Sequence, residues 1–141
     1  MEVHVQRELQ HGADAVWALL ADFGNMSWAP GIPRLEVEGQ GVGMVRKIYM
    51  DDGPNSIDEQ LEVLDSERRY LEYSIPGNNP MPVSDYRASA EVTPLGEGRC
   101  RIDWRSRATP AGMSEAEVRE ILESTYGMML DWIETHLDGQ A

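Results

Sequence analysis

Cysteine, phenylalanine and histidine are scarce in this chain of 141 residues, which holds one, one and three of them, and 25 acidic residues face only 12 basic ones. A lone cysteine, Cys100, excludes an intramolecular disulfide and a cysteine-rich metal site. The histidines, His4, His11 and His136, have no metal-ligand spacing, so no metal is expected. No run approaches the ~18 apolar residues of a membrane span, and the opening MEVHVQRELQ alternates where a secretory signal would pass from basic to apolar. A cytoplasmic location without membrane insertion is the expectation. A formal net charge of −13 repels phosphate backbones and anionic headgroups, which argues against a nucleic-acid partner. Also missing are internal repeats, Ser/Gly linkers and blocks of like charge, so residues 1–141 read as one domain, acting as a monomer or homodimer.

What is present is an ordinary globular balance, 41% hydrophobic and 26% charged, arranged with clear periodicity. Val3, Val5 and Leu9 alternate with His4, Gln6 and Glu8 in a first strand, and Arg7 intrudes on the apolar side. The segment DAVWALLADFG predicts a short helix with Asp14 as N-cap, and Asn25–Trp28 a second short turn of helix before Pro30, Gly31 and Pro33. Six strands are read at 34–38, 43–50, 56–64, 68–76, 83–93 and 99–109. In the last three, stripes such as Tyr86, Ala88, Ala90 and Val92 back onto charged positions, the mark of a half-buried antiparallel sheet. Ser114 and Glu117 have capping-box spacing and open a helix to about residue 137, with Val118, Ile121, Leu122, Thr125, Met128, Met129, Trp132 and Ile133 recurring at helical intervals. The fold class is therefore α+β, a curved seven-stranded antiparallel sheet wrapped around a long C-terminal helix.

Two features suggest a pocket. Ala88, Ala90, Ser106, Ala108, Thr125 and Gly127 are small residues on inward faces, which predicts an apolar cavity of roughly a few hundred Å³ between sheet and helix. Arg46 interrupts Met44, Ile48 and Met50, and Glu59 interrupts Ile57, Leu61 and Val63. If those strands form a hairpin through DDGPN, the two charges meet on one face, either as a structural pair or as polar anchors in the cavity. Cys100 points inward with no nearby partner and reads as a buried, inert thiol. GQGVG lacks the strand–helix surround of a phosphate loop, and no serine sits in a nucleophile elbow.

Over nearly its whole length the chain resembles the START-like, helix-grip superfamily. The stretches that carry the resemblance are AVWALLADFGNMSWAPGI, the run from GVGMVRKIYMDDGPN through EYSIPGNNP to AEVTP, and CRIDWRSRATPAGMSEAEV. Within that superfamily it is most similar to the bacterial polyketide cyclase/dehydratase group and more distantly to the plant abscisic acid receptors. The resemblance implies a helix-grip fold around a ligand cavity, with Arg46, Met50, Glu59, Tyr73, Ile75, Tyr86, Ala88, Ile121, Thr125 and Met129 along it. Trp104, on the inward stripe of its strand, joins the candidate wall, with core packing as its competing assignment. DDGPN matches the receptors' gate loop and PGNNP their latch loop, but Ala29 stands where they carry a ligand-binding lysine, which argues against hormone reception. The implied ligand is a hydrophobic small molecule, aromatic, polyketide-like or lipid-like. Cofactor-free cyclase or dehydratase chemistry would then use Glu59 to move a proton and Arg46 or Tyr86 to stabilise negative charge. A carrier or sensor of a lipid, quinone or metabolite would use the same groups only as anchors.

Overall fold

A computed structural model describes residues 1–77 and 79–140. Its elements are β1 (Glu2–Leu9), α1 (Ala13–Ala21), β2 (Arg34–Glu38), β3 (Val45–Tyr49), β4 (Ile57–Asp65), β5 (Tyr70–Ser74), β6 (Val83–Gly96), β7 (Arg99–Pro110) and α2 (Glu115–Asp138). All seven strands join one antiparallel sheet in the order β1-β7-β6-β5-β4-β3-β2. Strands β2 to β7 are a meander in which each pairs with the next. β1 then closes against β7, so the sequence neighbours β1 and β2 lie on opposite edges and α1 with its following turns crosses between them.

The period-two stripes explain the sheet's two faces. Ala88, Ala90 and Val92 on β6, and Cys100, Ile102, Trp104, Ser106 and Ala108 on β7, are buried under the helices, while Arg99, Arg105 and Arg107 point to solvent. α2 begins at Ser114, whose hydroxyl accepts from the Glu117 N–H while the Glu117 carboxylate accepts from the Ser114 N–H, the reciprocal box its spacing predicts. At ~1.5 Å per residue it runs roughly 36 Å across the concave face. It buries Val118, Leu122, Tyr126, Met129, Leu130, Ile133 and Leu137, side chains worth about 1.5–3 kcal/mol each when fully covered. Arg7, on the inward side of β1, reaches across to α2 and donates from Nη1 to Asp131 at 2.5 Å and to Glu134 at 2.8 Å. That contact ties the sheet edge to the helix.

Two local expectations are corrected. One short helix follows β1, not two: Asn25–Trp28 lies in turns closed by Asn25 N–H to Asp22 O, 2.9 Å, and Ala29 N–H to Met26 O, 2.8 Å. Pro30 and Pro33 cannot donate and disfavour helical backbone before them, so no further turn propagates. The N-cap of α1 is Gly12, not Asp14. Asp14 sits in the first turn, where it favours the helix dipole and takes both Nε (2.9 Å) and Nη2 (2.7 Å) of Arg69 from the β4–β5 turn.

Candidate functional site

In the β3–β4 ladder Arg46 stands directly opposite Glu59, and both are buried. Arg46 Nε donates to Glu59 Oε1 at 2.8 Å, Nη2 lies 2.8 Å from the same oxygen, and Nη1 donates to the carbonyl of Phe23 at 3.1 Å. The guanidinium carbon rests 3.8 Å from the centre of the Phe23 ring and 5.4 Å from that of Tyr73. The cation is thus held on several sides: carboxylate, backbone oxygen and aromatic face. Among the described residues no donor reaches Glu59 Oε2.

Three tyrosines from different elements converge beside this pair. Tyr73 on β5 accepts a hydrogen bond from Trp104 Nε1 at 3.1 Å, and the hydroxyls of Tyr86 on β6 and Tyr126 on α2 bond each other. Trp104 stacks on Tyr126 with ring centres 5.7 Å apart. Burial holds the phenols of Tyr73 and Tyr86 well above the usual tyrosine range, with the Glu59 charge adding to it, and pushes Tyr126 up to about 12. All three stay neutral at physiological pH, able to donate or accept but unsuited as bases.

Glu59, Tyr73, Tyr86 and Tyr126 share a cavity of about 160 Å³ between the sheet and α2. The rest of its wall is Ile32, Ile48, Ile57, Leu122, Thr125, Trp132 and the methionines Met26, Met50, Met81, Met128 and Met129, five of the chain's eight. Those methionines come from the turns after α1, the loops after β3 and before β6, and the middle of α2, so the sequence scatters what the fold gathers. Trp132 lies so close over the backbone of Gly31 that a Cβ there would stand 2.5 Å from its Cζ2. The absence of that side chain lets the indole close one side of the cavity.

Of the residues singled out in the sequence, Met50, Glu59, Tyr73, Tyr86, Thr125 and Met129 lie on this wall, whereas Arg46, Ile75, Ala88, Trp104 and Ile121 do not. Arg46 faces Glu59 from the neighbouring strand, and Ala88 pairs with Tyr73 across the β5–β6 ladder. The cavity is smaller than its expected few hundred Å³: Ala88, Ala90, Ser106 and Ala108 are buried but do not line it. Thr125 spends its hydroxyl proton on the Ile121 carbonyl at 2.8 Å. Tyr126 and Leu122 were not among the wall residues anticipated, although they follow one another at i and i+4 on the helical face. Of the anticipated loops, DDGPN lies in the connection between β3 and β4, where Gly53 N–H donates to Asp51 at 2.7 Å, and the nearby Met50 and Ile57 reach the cavity. The PGNNP loop includes Asn78, which lies outside the described residues, and Met81 just beyond it lines the cavity.

A broader depression of about 560 Å³ is mostly polar, lined by Glu2, His4, Glu72, Arg87, Arg105 and Arg107 of the sheet and by Arg119 and Glu123 of α2, and it also reaches Ala88 and Ser106. Arg87 there pairs with Glu72 at 2.7 Å. Next to it, Asp103 takes His4 at 2.7 Å, Gln6 at 2.8 Å and Arg101 at 3.3 Å, which hold its carboxyl below the usual range despite burial. These are self-satisfied surface networks. Cys100 is buried, and burial pushes its thiol up, as befits an unreactive core residue. Among the described residues no His/Cys/Asp/Glu group is arranged to hold a metal, and no helix is long and apolar enough to cross a membrane.

A seven-stranded sheet gripping a C-terminal helix around an apolar cavity has known counterparts. The sequence profile described as polyketide cyclase / dehydrase and lipid transport matches residues 1–138. The chain belongs to this family. Family membership supports a role in handling a hydrophobic ligand. Among solved structures, an uncharacterized protein from Bacillus thuringiensis is 27% identical with a TM-score of 0.86, covering 96% of this chain and 98% of its own. The protein XoxI from Bacillus cereus is likewise 27% identical, TM-score 0.86, over 99% and 98%. Norcoclaurine synthase from Thalictrum flavum, solved with dopamine and hydroxybenzaldehyde, shares the fold at 21% identity and a TM-score of 0.78, over 100% of this chain and 88% of that one. None of the curated proteins compared matches the chain.

Proposed function

We propose that this family member binds a hydrophobic small molecule in the cavity between its sheet and α2. The observation that carries the reading is the wall itself: a hollow of about 160 Å³, open to solvent past the exposed Met50 and Met128, whose lining is apolar except for one carboxylate and a few hydroxyls. Cores are ordinarily filled, and leaving such a space open forfeits dispersion contacts that a ligand would restore. Methionines suit this wall because their unbranched side chains repack around different shapes. Native mass spectrometry of the protein as purified, followed by thermal-shift measurements with small apolar aromatics, tests it. Retained or stabilising ligands support the reading, and a chain that carries and responds to none contradicts it.

A second reading, cofactor-free cyclase or dehydratase chemistry, is favoured by one juxtaposition: Glu59 with an uncommitted Oε2 beside neutral Tyr73, Tyr86 and Tyr126. In it the carboxylate accepts a substrate proton while a tyrosine hydroxyl stabilises the developing oxyanion. Arg46 would act through Glu59 as a positioning residue. Glu59→Gln would then lower turnover by ~10²–10⁴-fold with affinity largely retained. In a carrier, only affinity would change.

A further inference from the structure

We propose that the cavity selects a single-ring aromatic bearing a hydrogen-bond donor, a phenol or an arylalkylamine, and rejects carboxylates. The inference deepens the reading of the cavity as a binding site and rests on it. Size comes first. A protein cavity of about 150 Å³ holds benzene, so the roughly equal hollow here covers one substituted ring, whereas a fused-ring or long-chain ligand would leave much of its apolar surface outside the mouth.

Charge decides the rest. Among the described wall residues Glu59 is the one carboxylate, and no lysine, arginine or histidine joins it. The nearest cation, Arg46, is committed: Nε and Nη2 face Glu59 Oε1, Nη1 holds the Phe23 carbonyl, and its face lies on Phe23. A ligand carboxylate would meet Glu59 with no free cation to neutralise it, in surroundings that screen charge poorly. The net charge of −13 opposes its approach as well. A donor meets the opposite situation. Glu59 Oε2 takes no hydrogen bond from the described residues, and a carboxylate oxygen on the cavity lining gains from a phenol O–H or an ammonium N–H. The alternative use of this pair, with Arg46 clasping a ligand carboxylate, requires a guanidinium turned into the cavity, and the geometry has it turned away.

Four probes of similar size decide the question on the native protein at neutral pH: 4-ethylphenol, 2-phenylethylamine, 3-phenylpropanoate and ethylbenzene, with dissociation constants from calorimetry or NMR titration. The expected result is that the phenol and the amine bind at least about tenfold more tightly than the carboxylate and more tightly than ethylbenzene. In Glu59→Gln the amine's advantage over the carboxylate should largely disappear. If 3-phenylpropanoate binds as well as the donors, or ethylbenzene does, the donor rule is overturned while the cavity still stands as a binding site. If none of the four binds, the cavity reading fails and the rule fails with it. The ranking on the native protein stands whether or not the variant folds.

Discussion

Arg46 and Glu59 face each other across the β3–β4 ladder, two side chains of opposite charge that touch at 2.8 Å inside a wall of apolar residues. Removing two charges from water costs several kcal/mol for each, and their attraction offsets this only when further hydrogen bonds complete the pair. The Phe23 carbonyl and ring do that for Arg46, and the cavity leaves Glu59 half-completed. One partner is therefore locked and the other is available.

Arg46→Met should cost about 3–5 kcal/mol, because it strands a buried carboxylate, whereas the double variant Arg46→Met/Glu59→Gln should recover much of the loss. Urea unfolding of wild type, both singles and the double gives the coupling. A single Arg46 variant within about 0.5 kcal/mol of wild type would show that the pair contributes little.

Gly31→Ala should lower stability by about 1–3 kcal/mol, since the new methyl overlaps the rigid Trp132 indole and forces the ring from its place. Displacing Trp132 also opens the cavity, so the variant should bind bulkier aromatics better than wild type does. Tryptophan fluorescence and thermal melts report on both effects. An unaltered spectrum and melting temperature would mean that the ring does not close the cavity.

Alkali should unfold this protein through its buried tyrosines. Free tyrosine ionises near 10, while Tyr126 is held at about 12 and Tyr73 and Tyr86 lie well above the usual range. Below pH 10 these phenols are neutral in both states and stability is unaffected. Above it the unfolded chain gains by ionising first, so stability falls as pH rises, by about 2–3 kcal/mol from Tyr126 alone by pH 12. Absorbance at 295 nm should show three of the five tyrosines ionising only as the protein unfolds. Ionisation of all five near pH 10 with the fold intact would contradict the buried cluster.

Much of the architecture was legible because it is periodic. The alternation Tyr86, Ala88, Ala90, Val92 set the face of β6, the Ser114–Glu117 spacing set the start of α2, and two interrupted stripes were enough to place Arg46 against Glu59. The cavity was less legible because its wall is assembled across long sequence distances. Nothing near Arg46 indicates that the Phe23 carbonyl, 23 residues earlier, takes an Nη1 hydrogen and helps hold the guanidinium off the cavity wall. Small residues on β6 and β7 suggested space, but Ala88, Ala90, Ser106 and Ala108 do not line the cavity, and the stacking of Tyr126 from the facing helix on Trp104 is a tertiary property. Asn25–Trp28 has ordinary helical propensities, and the prolines that follow decided against a helix there.

The proposed ligand site is the methionine-lined hollow between sheet and helix. Methyl-¹³C labelling of all eight methionines, followed by titration with 4-ethylphenol, tests this most directly. The signals of Met26, Met50, Met81, Met128 and Met129 should shift together with one dissociation constant, while Met44 and Met113, off the wall, should stay in place. Shifts confined to Met44 and Met113, or no shift at saturating ligand, would contradict it.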